Sequence, residues 1–103
     1  MSLPGLDPLI HAPVRLQICA ILAAADEAEF ALVREETGVS ESVLSKQVKL
    51  LEEAGYVAVR KATLASRQRT WLALTRAGRT AFAAHMQALT LLAQTAASAI
   101  AAE

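Results

Sequence analysis

The last quarter of the chain limits what it can fold into more than any other stretch. After Thr75, a natural helix cap, the sequence runs to residue 103 with no proline and with one glycine, Gly78, close to the start of the run. Alanine dominates it, and the expected helix, from about Arg76 to Ala102, is about 26 residues or roughly 39 Å long. Gly78 should weaken it by about 1 kcal/mol, tolerable near a fraying end. Phe82, Met86, Leu89, Ala93, Ala96 and Ile100 repeat at alternating spacings of four and three, the signature of a helix–helix seam. A chain of 103 residues makes one domain, too small to cover such a helix along its whole length. Phe82 and Met86 are expected to serve the domain's own core. Leu89, Leu92, Ala93, Ala96 and Ile100 are left for a second copy of the chain.

Ahead of this helix, breakers and caps divide the sequence cleanly. Residues 1–12, with Pro4, Gly5, Asp7 and Pro8, read as a lead-in. Pro13 suits the first turn of a helix running to Ala25, with Val14, Ile18, Ile21, Leu22 and Ala25 on its main apolar face. Leu16, Ala20 and Ala23 make a second apolar stripe that something else must cover, so Leu16 is a further candidate for the interface between copies. Asp26, Glu27 and Glu29 place acids at the start of the next helix, as its dipole favours. This helix is expected from about Glu29, with Phe30 and Val33 pointing inward, and Gly38 stops it after Thr37. Ser40 caps a helix from Glu41 to Ala54, which Gly55 ends. A strand over Tyr56–Lys61, a basic loop over Ala62–Gln68 and a strand over Arg69–Leu74 form a hairpin.

Two short helices joined at Gly38-Val39 are a helix-turn-helix. On the second of them Ser42, Ser45, Lys46 and Lys49 share one face, and Leu44, Val48 and Leu51 the opposite one. Small hydroxyls and lysines turned outward suit close approach to a polyanion. Gln47 falls in the apolar arc and is expected to bond locally, without reading bases. The formal net charge is zero, yet residues 42–80 hold eight of the ten Lys and Arg residues and two of the ten acids. That segregation creates a local field that the overall balance conceals. Arg60, Lys61, Arg67 and Arg69 cluster in the hairpin, with no acid in sequence between Glu53 and Glu103, which points to phosphate contact.

The segment Gly38–Val57 resembles the recognition region of ArsR/MarR-type winged-helix transcriptional regulators. Arg69–Arg79 is similar to the wing strand and following helix start of that group, and His11–Ile18 to its first helix. The likeness spans about residues 7–92. It implies an α+β, mostly α fold: a winged helix-turn-helix with a two-stranded β wing over residues 13–75 and a long C-terminal dimerisation helix over 76–103. It also implies that Ser42, Ser45 and Lys46, behind the cap Ser40 and ahead of Lys49, meet the major groove, that Arg60 to Arg69 lie along the backbone or minor groove, and that the protein is a homodimer. The expected function is sequence-specific binding of double-stranded DNA at an inverted-repeat operator, as a repressor. The alternative is a winged-helix module that binds protein instead of DNA.

Other classes lack their residues. There is no Ser/His/Asp set, glycine-rich phosphate loop or paired catalytic carboxylates, so no enzyme is expected. Cys19 is a lone cysteine, expected to be a buried, inert thiol. His11 and His85 stand apart in sequence, so neither a metal nor another cofactor is expected. A small-molecule effector of unspecified identity would sit between the DNA-binding part and the dimer helices, near Leu9, Leu16, Trp71 and Met86. Residues 1–5 carry no basic, apolar leader, and no apolar run is long enough to cross a bilayer. With a single cysteine, a cytoplasmic setting is expected.

Overall fold

Asp7 opens the first element. Its carboxylate accepts the backbone N–H of Leu9 at 2.9 Å, and Pro8 follows in the first turn of α1 (Pro8–His11). Ala12 is extended, as the residue before a proline must be, and Pro13 starts α2 (Pro13–Ala23). This computed structural model describes residues 4–102. Of the expected lead-in, residues 1–3 lie outside the described residues, as does Glu103, and residues 8–11 are helical. Ile10 is fully buried, so this stretch belongs to the core instead of merely preceding it.

On α2, Ile18, Cys19 and Leu22 are buried. The helix ends two residues earlier than expected, and Ala25 is exposed. Next comes an element with no local signal. Ala28–Glu29 form β1, which pairs antiparallel with β3, Ala28 opposite Leu72 and Glu29 opposite Trp71. The expected helix start at Glu29 gives way to this strand, and α3 spans Phe30–Thr37 with Val33 buried. Gly38 closes α3 at φ 71°, ψ 10°, a left-handed position that glycine reaches without the clash a Cβ brings.

Ser40 caps α4 (Glu41–Glu53), its Oγ accepting the N–H of Val43 at 3.2 Å. Leu44, Val48 and Leu51 face the core as their spacing requires. β2 (Val57–Leu64) and β3 (Arg67–Leu74) pair along their full length, from Val57 opposite Leu74 to Leu64 opposite Arg67. The expected seven-residue loop is therefore a two-residue turn. Ala65 and Ser66 hold φ of 51° and 65°, the twist that joins adjacent antiparallel strands best. Strand order is β1-β3-β2, three strands where two were expected.

α5 (Arg76–Ala101) begins at the cap Thr75. Gly78, Phe82 and His85 are buried against the domain, whereas Met86, placed in the core by sequence spacing, is 41% exposed. Gly78 is more than tolerated. A Cβ there would stand 2.1 Å from the carbonyl oxygen of Tyr56, so only glycine lets α5 approach the α4–β2 turn. Beyond Leu89 every described residue is exposed, and the longest dimension of the molecule is 61 Å. No helix among the described residues is long and apolar enough to cross a membrane.

Candidate nucleic-acid interface

The packing of α4 fixes its outer face. With Leu44, Val48 and Leu51 buried, Ser42, Ser45, Lys46 and Lys49 are all exposed, the set that periodicity selects. Ser40 is exposed too, but its hydroxyl already caps the helix and lies 3.3 Å from Ser42 Oγ. Gln47 is held at a distance instead of locally: its Oε1 accepts Arg15 Nη1 at 2.6 Å. Arg15 Nε also donates to the carbonyl of Leu9. One guanidinium thus ties α1, α2 and α4 together and sets the roll of α4.

Alternation along the hairpin assigns its basic residues to faces. Val59 and Leu72 are opposite one another, as are Lys61 and Thr70. All four line a groove of about 560 Å³ that Ser45, Val48 and Lys49 bound from α4. Lys61 therefore shares a concave surface with the outer face of α4, together with Glu41 and Glu52. The pairs Arg60–Trp71, Ala62–Arg69 and Leu64–Arg67 alternate with these and occupy the other face of the sheet. Arg67 adjoins the turn and is exposed.

Arg60 and Arg69 are engaged with acids. Arg60 Nη2 lies 2.6 Å from Glu27 Oε1, its Nε donates to Glu27 Oε2 at 3.3 Å, and its guanidinium stands over Trp71, 5.6 Å from the ring centre. The hydrogen bond to Glu27 raises the Arg60 pKa further. Arg69 Nη1 reaches both oxygens of Glu29, at 3.0 and 3.2 Å. The hairpin lacks acids in sequence but not in space, because β1 carries Glu29 and its neighbour Glu27 to it. No other ion pair joins two described residues, which leaves Lys46, Lys49, Lys61 and Arg67 unpaired among them.

The residues expected between copies divide. Leu16 is half-buried against its own core, while Ala20 and Ala23 are exposed. Leu89 is half-buried, and Leu92, Ala93, Ala96 and Ile100 are exposed, Ile100 at 73%. None of Leu9, Leu16, Trp71 and Met86, the expected effector surroundings, lines the groove beside α4.

His11 and His85, far apart in sequence, meet. His85 is fully buried; the Asp7 N–H donates to its Nδ1 at 3.0 Å, and its Nε2 is 3.2 Å from His11 Nδ1. Asp7 Oδ2 accepts the Tyr56 hydroxyl at 2.5 Å. Burial first, then the neighbouring His11, lowers the His85 pKa. The bond to Asp7 raises that of Tyr56. Burial pushes the Cys19 thiol up to about 11, which suppresses its thiolate at neutral pH. Asp7 before Pro8 was the one local sign of this cluster, since that pair marks a helix start.

Comparison with known proteins agrees with this architecture. A family model described as a winged helix DNA-binding domain matches residues 14–93. The uncharacterized protein MJ0432 of Methanocaldococcus jannaschii is 31% identical over 74 residues, which are 72% of this chain and 80% of that one. A transcriptional regulator homologue from Pyrococcus horikoshii OT3 superposes with a TM-score of 0.79 at 24% identity, over 84% of this chain and 86% of that one. The transcriptional repressor BigR from Xylella fastidiosa does so with a TM-score of 0.61 at 24% identity, over 76% and 74%. With its helix-turn-helix, wing and long final helix in place, the chain belongs to the winged helix DNA-binding domain family.

Proposed function

We propose that this protein is a transcriptional regulator that binds double-stranded DNA as a homodimer and represses by occluding an inverted-repeat operator. The observation that carries this reading is the outer face of α4. Ser42, Ser45, Lys46 and Lys49 are exposed, the two lysines are in no ion pair with a described residue, and the groove beside them is closed by Lys61 of the wing. Serines let a helix backbone come close to base edges, and lysines answer the phosphates on either side. Ser40 serves this face by capping it. The exposed apolar residues of distal α5, Leu92, Ala93, Ala96 and Ile100 with Leu89 at their edge, supply the surface for a second copy. That BigR is a repressor with this fold agrees with the sign of regulation.

The protein-binding alternative draws some support from the ion pairs at Arg60 and Arg69, which reduce the free charge of the wing. Selection of bound duplexes from a random pool by gel shift separates the two readings. Enrichment of a two-fold symmetric motif, lost in Ser45→Glu while the circular dichroism spectrum is kept, is the expected result. A pool that stays random, with no shifted band at low salt, would leave the protein-binding reading standing.

A further inference from the structure

We propose that Glu27 and Glu29 are positioning residues of the wing. They hold Arg60 and Arg69 on the outer face of the sheet, fix the hairpin against α3, and leave the wing's phosphate contacts to Lys61 and Arg67. This inference rests on the DNA-binding reading above and assigns work within that site.

Three observations converge on it. The first is strand register. Glu29 on β1, Trp71 on β3 and Arg60 on β2 stand in one row across the sheet. Arg69 lies two residues before Trp71 on that same face. The opposite face carries Val59 and Lys61, toward Ser45 and Lys49 of α4. Arg60 and Arg69 thus project from the side of the sheet away from the recognition helix, as does Arg67, which differs from them in standing beside the turn and in forming no ion pair with a described residue.

The second is the quality of the contacts. Glu27 takes Arg60 with two donors, at 2.6 and 3.3 Å, while Trp71 lies under the guanidinium. Glu29 accepts Arg69 Nη1 on both oxygens and is itself only 25% exposed. Arg69 Nε is buried with no hydrogen-bond partner in the described structure, although the side chain as a whole is 40% exposed, so Glu29 is what holds its guanidinium. A guanidinium matched to a carboxylate and stacked on an aromatic ring is held in orientation, not merely neutralised.

The third is chain connectivity. Glu29 immediately precedes α3, the first helix of the helix-turn-helix. A bond from Glu29 to Arg69 therefore runs directly between that unit and the wing. Two such bonds add side-chain ties to the pairing of β1 with β3, which already joins the helix-turn-helix to the wing.

The test uses the full-length chain, the duplex motif recovered by selection, and binding measured by fluorescence anisotropy across a salt series. Lys61→Gln with Arg67→Gln should flatten the salt dependence by about one unit per lost phosphate contact. Arg60→Gln with Arg69→Gln should leave that slope unchanged and weaken binding by roughly two- to five-fold per broken pair. Glu27→Gln with Glu29→Gln is decisive in sign. Removing two acids from a DNA-binding protein ordinarily tightens it; here binding should weaken to the same degree as in the double arginine variant. Combining all four changes should add little further loss, because one interaction is being removed from either side. A slope flattened by the arginine variant, or tighter binding by the acid variant, overturns the inference while the DNA-binding reading survives. Wild-type protein that binds no duplex at any salt overturns both.

Discussion

The ring nitrogens of His85 are both committed, one to the backbone N–H of Asp7 at 3.0 Å and the other to His11 Nδ1 at 3.2 Å. A backbone N–H can only donate, so His85 Nδ1 is the acceptor and the His85 proton sits on Nε2, donating to His11. The pair joins α1 to α5 and leaves no site on a neutral His85 for a second proton.

Stability should therefore depend on pH in a defined direction. Burial lowers the His85 pKa below its ordinary 6.5. Between the lowered folded value and the unfolded one, the unfolded chain binds a proton that the folded chain refuses. The stabilisation is complete above pH 6.5 and is lost as pH falls toward the folded value, at up to about 1.4 kcal/mol per pH unit. Urea unfolding at pH 7.5 and 5.5 should show the lower midpoint at 5.5, and His85→Gln should narrow that gap. An equal gap in the variant would assign the effect to other groups.

Gly78→Ala separates two opposite expectations. Helix propensity alone favours alanine by about 1 kcal/mol. The Cβ would meet the Tyr56 carbonyl at 2.1 Å, and that oxygen already accepts the N–H of Thr75 at 3.0 Å. Because backbone, not a flexible side chain, stands in the way, the net effect should be a loss of about 2 kcal/mol or more. A melting temperature that rises instead would show that α5 can shift away from the turn at no cost.

The wing turn offers the converse. Ala65 and Ser66 both occupy left-handed backbone that costs residues with a Cβ roughly 1 kcal/mol or more. Ala65→Asn with Ser66→Gly suits the same turn and should stabilise by about 1 kcal/mol, several degrees in Tm for a chain of this size. An unchanged or lower Tm would mean that the turn departs from this geometry in solution.

What sequence reveals here follows from the range of each interaction. The α4 boundaries were readable because Gly38, Ser40 and Gly55 act on their immediate neighbours, and its two faces because Leu44, Val48 and Leu51 repeat within one helix. β1 was not readable: two residues make no pattern, and Ala28–Glu29 are a strand only because Leu72 and Trp71 come alongside. The same fact concealed the partners of Arg60 and Arg69, since Glu27 and Glu29 look like ordinary acids before a helix until β1 docks. His11 and His85, 74 residues apart in sequence, are joined by the fold itself. Met86 and His85 show the limit of assigning a core residue from the four–three spacing: Gly78 and Phe82 turn position 85 inward, and Met86 stays exposed beside the rest of the seam.

The distal half of α5 gives the sharpest test of assembly. In the described structure Leu91, Leu92 and Ile100 are 58%, 47% and 73% exposed, an apolar surface that the domain's own core does not reach. Truncation after Ala88 removes it, and with it Leu89, Ala93 and Ala96, while sparing the buried Gly78, Phe82 and His85. The fragment should stay folded and become monomeric. In a two-fold dimer the recognition helices should stand about 34 Å apart, one turn of the duplex. Losing the tether should therefore lower operator affinity by orders of magnitude, since the second half-site no longer binds as an intramolecular step. Sedimentation and circular dichroism on one sample decide the matter. A truncated chain that remains dimeric would move the interface to α2, where Ala20 and Ala23 are exposed beside the half-buried Leu16. A truncated chain that unfolds would make dimerisation a condition of folding, and the intact protein should then unfold at lower temperature on dilution, by mass action.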